Sequence, residues 1–161
     1  MQRLLVFSDS HGDIRNCKEI IDNFEYRVSG IIHAGDYAGD AQDLKAEYPD
    51  IPVYYVCGNC DIFSAAPVEN VFIVDGVKIF LTHGHTYYVK QEAHSDYRTL
   101  AKKANEIGAG LCVFGHTHYQ DTVYTGGTTL LNPGSIRYGG TYAVVEIENG
   151  KVNTVQKDLY R

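Results

Sequence analysis

Five short apolar runs, each halted by a polar turn rich in glycine, constrain this chain more than any other feature of its sequence. Residues 3–7 (RLLVF) run into Ser8-Asp9-Ser10-His11-Gly12, residues 30–34 (GIIHA) into Gly35-Asp36, and residues 53–57 (VYYVC) into Gly58-Asn59-Cys60-Asp61. Residues 77–81 (VKIFL) are followed by Thr82-His83-Gly84-His85, and residues 111–114 (LCVF) by Gly115-His116-Thr117-His118. Runs this short, rich in β-branched and aromatic residues, suit strands better than helices. RLLVF, GIIHA, VYYVC and LCVF are nearly continuous in apolar character, so they are expected to be covered on both faces. Asp75-Gly76, Gly126-Gly127 and Asn149-Gly150 lie between further strand-like segments and tolerate the positive φ angles of tight turns, which predicts three hairpins.

Helical spacing appears in fewer places. Ile14, Cys17, Ile20, Ile21 and Phe24 share one face of a helix expected over residues 13–23. Tyr97, Leu100, Ala101, Ala104 and Ile107 do the same over residues 94–107, ending at Gly108, and a further helix is expected over residues 41–48. With 161 residues, 44% of them apolar and 21% charged, the chain has the balance of one globular domain over 1–161. Strand and helix alternate early and hairpins come late, which points to an α/β fold with two mixed sheets packed face to face and helices outside.

Composition excludes several roles. No apolar run approaches the roughly 20 residues that span a bilayer, and the start MQRLLVFSDSHGD is unlike a signal peptide, so cytoplasmic residence is expected. A net charge of −6, with 14 scattered basic residues, excludes a protein that coats nucleic acid. The four cysteines are too few for a disulfide scaffold, and Cys57-x-x-Cys60 has no second pair to complete a zinc ribbon.

The polar residues after the strands make chemical sense together. In sheets with parallel strands, ligand sites form at the carboxyl ends, where loops converge. Five such loops offer Asp9, His11, Asp36, Asn59, His83, His116 and His118, with His85 beside them. Carboxylate and imidazole suit divalent ions such as Mn, Fe or Zn, and the lack of thiolate clusters argues against a closed structural zinc. Seven ligands exceed what one tetrahedral ion accepts; two ions sharing a carboxylate would use them all. Gly12, Gly35, Gly58, Gly84 and Gly115 adjoin the ligands and allow close approach.

D-x-H, G-D, G-N, H-G-H and G-H-x-H in this order resemble the calcineurin-like metallophosphoesterase superfamily, from Asp9 to His118, and Asn132-Pro133-Gly134-Ser135 is similar to its small bacterial and archaeal phosphodiesterase branch. The resemblance implies a four-layered α/β/β/α sandwich. It implies that Asp9, His11 and His118 bind one divalent ion and Asn59, His83 and His116 a second, with Asp36 bridging. Mn is the first expectation, with Ni, Fe, Zn or Mg also compatible. It further implies hydrolysis of small or nucleotide-like phosphodiesters by a hydroxide held between the ions, with Asp36, Asn59 and His85 serving the reaction and His85 facing substrate. Many members carry histidine where this chain has Cys60, which removes the usual proton donor to the leaving group. A non-catalytic interaction scaffold, as in the retromer subunit of the same fold, is the alternative; a two-metal amide hydrolase is a third reading.

Other residues have plainer readings. His33, inside a strand, and His94 read as packed or surface histidines. Asp61 is either a residue that orients a ligand or a turn former, and Asp13 reads as an acid at a helix N-terminus. Asn132 to Ser135 read as structural support, and Arg137 offers a guanidinium to a phosphate oxygen. The thirteen tyrosines read first as strand residues, and second as a surface for bases or a homodimer interface.

Overall fold

Side-chain alternation along the first strand decides the architecture. The computed structural model describes residues 1–161. In β1 (Gln2–Phe7), Leu4 and Val6 face one way and Leu5 and Phe7 the other, and all four are buried. A strand apolar on both faces must be covered on both. β1 pairs in parallel with β2 (Gly30–His33), which pairs in parallel with β3 (Val53–Tyr55). On its other side β1 meets β9 (Thr141–Glu148) antiparallel, and β9 meets β10 (Lys151–Asp158) across the Asn149-Gly150 hairpin.

The second sheet contains β4 (Glu69–Val74), β5 (Val77–Thr82), β6 (Leu111–Val113), β7 (Gln120–Thr125) and β8 (Thr128–Pro133), in the order β4-β5-β6-β8-β7. Its three central strands are parallel and its two edges antiparallel. Asp75-Gly76 and Gly126-Gly127 turn the β4–β5 and β7–β8 hairpins, as the sequence predicts.

Three apolar clusters make four layers. Between the sheets, Leu4, Val6 and Ile32 meet Ile79, Leu81 and Val113. Outside the first sheet, Cys17, Ile20 and Ile21 of α1 (Arg15–Asn23) and Leu44 of α2 (Ala38–Glu47) cover Leu5, Phe7 and Ile31. Outside the second, Val89 of α3 (Val89–Glu92) and Leu100 and Ala104 of α4 (Arg98–Ile107) cover Phe80, Phe114 and Leu130. The fold is an α/β/β/α sandwich of two mixed sheets. No helix is long and apolar enough to cross a membrane.

Three local expectations are corrected. VYYVC is covered on both faces, Tyr54 and Val56 between the sheets and Val53 under the helices, but less fully than expected: β3 is an edge strand and its residues are only half-buried. The helix expected over 94–107 breaks at Asp96 and Tyr97, whose φ angles are +54° and +57°, so α4 begins at Arg98. The break lets Tyr97 pack on Phe114, ring centroids 4.7 Å apart, while the Glu92 carboxylate accepts from Thr99 N at 2.8 Å. α2 starts at Ala38 rather than residue 41, because Asp61 Oδ1 accepts from Tyr37 N (3.1 Å) and Ala38 N (2.9 Å).

Candidate functional site

The loops that follow the strands leave them through unusual backbone. Asp9, His11, Asp36, His116 and His118 all have positive φ, between 46° and 72°. Residues with side chains rarely adopt this conformation, and it gathers where geometry serves a site. Bonds beyond the strand ends draw neighbouring loops together within each sheet: Asp9 N donates to Gly35 O at 3.0 Å, and Gly115 N to His83 O at 3.0 Å. Glycine permits the approach. A Cβ on Gly58 would strike the Asp36 carboxylate and the His83 ring, and one on Gly115 would strike Ser8 Oγ and Asp9 Oδ2.

Each carboxylate is held by one oxygen and offers the other. Asp9 Oδ2 accepts from Ser8 Oγ at 2.5 Å and from His116 N at 3.2 Å, while Oδ1 has no partner. Asp36 Oδ1 accepts from Cys60 N at 3.0 Å, while Oδ2 faces His11 Nε2 at 3.6 Å and His83 Nε2 at 3.4 Å. His118 Nε2 stands 3.2 Å from Asp9 Oδ1 and His11 Nε2 3.7 Å from it. Ligand atoms of Asp9, His11, Asp36 and His118 lie within 4.8 Å of one another.

Asp9 Oδ1, His11 Nε2 and His83 Nε2 are buried without a hydrogen-bond partner. Groups left so normally have a partner, and here three orphan acceptors and imidazole nitrogens point at one place. That donor set fits a divalent cation.

The remaining candidates divide. His83 and His116 have ring centroids 5.1 Å apart, and His85 lies 5.5 Å from His83 and 6.1 Å from His116. Asn59 sits exposed at the rim, its amide on Cys60 Sγ at 3.7 Å. The structure therefore brings six of the seven candidate ligands together and leaves Asn59 beside them.

Electrostatics follow from burial. Burial and then the charge of His83 push His116 down to about 4, so it is neutral near pH 7, the form that ligates. Burial would raise Asp36, yet the hydrogen bond and charge of His83, with the Cys60 amide, hold it well below the usual carboxylate range. Burial and His83 lower His85; burial and then Asp36 raise the Cys60 thiol.

Several supporting residues carry no local signal in the sequence. His33 Nδ1 accepts from Gly35 N at 3.2 Å, so its Nε2 carries the proton and donates to Ser10 Oγ at 2.7 Å. Ser10 Oγ in turn donates to Asp40 Oδ2 at 2.6 Å, which also accepts from Gly12 N at 2.8 Å. This buried chain ties the loop of Asp9 and His11 to the loop of Asp36. Asp61 orients the site loops, since besides capping α2 it accepts from Gly58 N at 2.7 Å. Asn132 donates to Gly115 O (3.1 Å) and Thr117 Oγ1 (2.9 Å), a supporting role as expected. Arg137 does not stand free for phosphate; it donates to Asp13 Oδ2 at 2.6 Å. Asp13 Oδ1 accepts from Arg15 N, the first amide of α1, at 3.1 Å. His94 is exposed.

Comparison with known proteins identifies the arrangement. Residues 2–150 match the model of the calcineurin-like phosphoesterase superfamily domain. The chain belongs to this superfamily. It is 33% identical over 152 residues to the probable metallophosphoesterase YsnB of Bacillus subtilis strain 168, covering 91% of this chain and 85% of that one. A conserved protein of Streptococcus pneumoniae TIGR4, described as a predicted phosphoesterase, shares the fold with a TM-score of 0.74 at 29% identity, over 96% of this chain and 88% of that one. At lower identity the same fold occurs in zinc-bound Vps29 of Entamoeba histolytica (20%, TM-score 0.74, 98% and 99% of the two chains). It also occurs in a novel archaeal phosphodiesterase (19%, TM-score 0.65, 97% and 100%). In this superfamily member the loops after β1, β2, β3, β5 and β6 all reach the metal-competent cluster.

Proposed function

We propose that this protein is a cytoplasmic metal-dependent phosphodiesterase that hydrolyses small or nucleotide-like phosphodiesters with two divalent ions, Mn foremost. The observation that carries the reading is the convergence of Asp9 Oδ1, His11 Nε2 and His83 Nε2, buried and unpartnered, around Asp36 Oδ2. In the proposal Asp9, His11 and His118 hold one ion, Asn59, His83 and His116 the other, and Asp36 both. Bound ions of this kind polarise phosphoryl oxygens and lower the pKa of water toward neutrality.

The chain's own contribution is orientation. The Ser8 hydroxyl and His116 amide fix Asp9 so that Oδ1 faces the cluster. His83 Nδ1 donates to Ala34 O at 2.7 Å, which fixes its tautomer and leaves Nε2 to ligate. His85, kept neutral beside the cluster, faces the substrate.

A scaffold of the same fold is the second reading. Vps29 shares the architecture, and Ile62 and Phe63, beside Cys60, are 80% and 99% exposed, as a docking tip would be. Assay of the purified protein with Mn, Ni, Mg and Zn against phosphodiesters and phosphomonoesters decides. Metal-dependent turnover, fastest on diesters, is expected; metal binding with no turnover on any ester supports the scaffold instead.

A further inference from the structure

A cleft of about 490 Å³ opens beside His118, with Tyr119, Tyr138 and Arg161 in its lining. That volume is typical of sites for small ligands. Its polar floor is already satisfied: Thr117 Oγ1 accepts from Tyr119 N (3.2 Å) and Asn132 Nδ2 (2.9 Å), and the Gln120 amide donates to Tyr142 O (3.2 Å) and Lys157 O (2.7 Å). What remains for a ligand is aromatic surface, the edge of His118 and the exposed Arg161–Asp158 pair. Tyr119 is 79% and Tyr138 66% exposed, although large aromatic side chains favour burial. The Arg161 guanidinium reaches only Asp158, at 3.5 Å.

Tyr138 is not a loose surface ring. Its amide donates to Ser135 Oγ at 3.0 Å, and that hydroxyl donates to Asp9 O at 2.9 Å, so its backbone is tied to a candidate ligand. The ring stands 5.2 Å from that of His11 and 5.5 Å from that of His118, centroid to centroid. A phosphate at the cluster would thus have a fixed aromatic wall next to it.

We infer that this cleft is the subsite for a planar heteroaromatic ring attached through a sugar to the phosphate, that is, a nucleobase, with Tyr119 and Tyr138 offering stacking faces and Arg161 a donor to ring nitrogen or carbonyl acceptors. The inference rests on the phosphoesterase reading and narrows its substrates to nucleotidyl esters with a place for the base. Stacking of a base on an aromatic side chain is sequence-tolerant, so the subsite selects nucleotidyl esters over sugar or alkyl esters more than one base over another.

Calorimetric titration of the Mn-loaded protein with thymidine 5′-monophosphate and with 2-deoxyribose 5-phosphate tests this, because in the second a hydroxyl replaces the base on the same sugar phosphate. The nucleotide should bind at least roughly tenfold tighter, the ratio should fall toward one in Tyr138→Leu and shrink in Tyr119→Leu, and Tyr138→Phe should keep it. Both tyrosines are exposed, so folding of the variants is not at stake. Equal binding of the two ligands by the wild type, or an unchanged ratio in both leucine variants, would overturn the subsite while leaving the phosphoesterase reading intact. Failure of both phosphates to bind, together with no metal-dependent hydrolysis, would remove that reading and the subsite with it.

Discussion

His83 and Ala34 are joined across the two sheets: the imidazole Nδ1 donates to the carbonyl oxygen at 2.7 Å, and the ring's other nitrogen is left bare 3.4 Å from Asp36 Oδ2. A single backbone carbonyl beside the first sheet thereby sets the tautomer of a candidate ligand delivered by the second. The close approach of sheets at this point depends on Gly35 and Gly58, which have no room for a side chain.

Gly58→Ala should therefore lower stability by about 1–3 kcal/mol and weaken metal binding, as over-packing of a tight site does. Gly39→Ala is the contrast, since it lies in α2 with nothing within 4 Å of an added Cβ, and should be neutral or stabilising by about 0.4–1 kcal/mol. Denaturant unfolding and metal titration of both variants check this; equal behaviour would contradict the steric account.

How much of this was legible in the sequence depends on the range of the interaction. The α1 face of Cys17, Ile20 and Ile21 repeats at helical spacing, and each candidate ligand follows an apolar run, so α1 and the cluster are both readable along the chain. The start of α2 is not, because its amides are capped by Asp61, more than twenty residues later. Nor is the break at Asp96 and Tyr97, where helical spacing continues but the packing of Tyr97 on Phe114 prevails. Ser10 and Asp40 gain their roles only when β1 and α2 are brought together, and along the chain His33 looks like a packed or surface histidine, with no sign of the loops it ties.

His33 gives a pH prediction. Burial pushes it down to about 4 from an ordinary 6.5, so the unfolded chain binds more protons than the folded one between those values. Metal-free stability should fall as pH drops from about 6.5 toward 4. His33→Gln, which retains a donor for Ser10 but cannot titrate, should be less stable near pH 7 and show a shallower acid limb. Thermal unfolding of both proteins across that range checks it, and parallel limbs would contradict the assignment.

His85→Ala should lower turnover more than metal content, because His83 is the proposed ligand and His85 stands beside it, half-buried with Nδ1 unpaired. Metal analysis alongside kinetics separates the roles. Loss of one metal equivalent would make His85 a ligand.

Cys60 is exposed and its thiol is raised above the ordinary value, so it stays protonated near neutral pH and is a weak hydrogen-bond donor. Rates should then depend steeply on leaving-group pKa, with aryl diesters fast and alkyl esters slow. Cys60→His should flatten that dependence and speed poor leaving groups by up to about 10²-fold. A wild-type dependence that is already flat with chemistry limiting, or no gain for poor leaving groups in the variant, would contradict the missing-donor account.

The most direct measurement is metal stoichiometry of the wild type and Asp36→Ala by elemental analysis after Mn loading and desalting. Asp36 Oδ2 lies between His11 and His83, at 3.6 Å and 3.4 Å, which places one carboxylate between the two proposed ligand sets. Two tightly held ions per wild-type chain and none in the variant are predicted. A wild type that holds none, or a variant that still holds two, would contradict the bridged two-metal account.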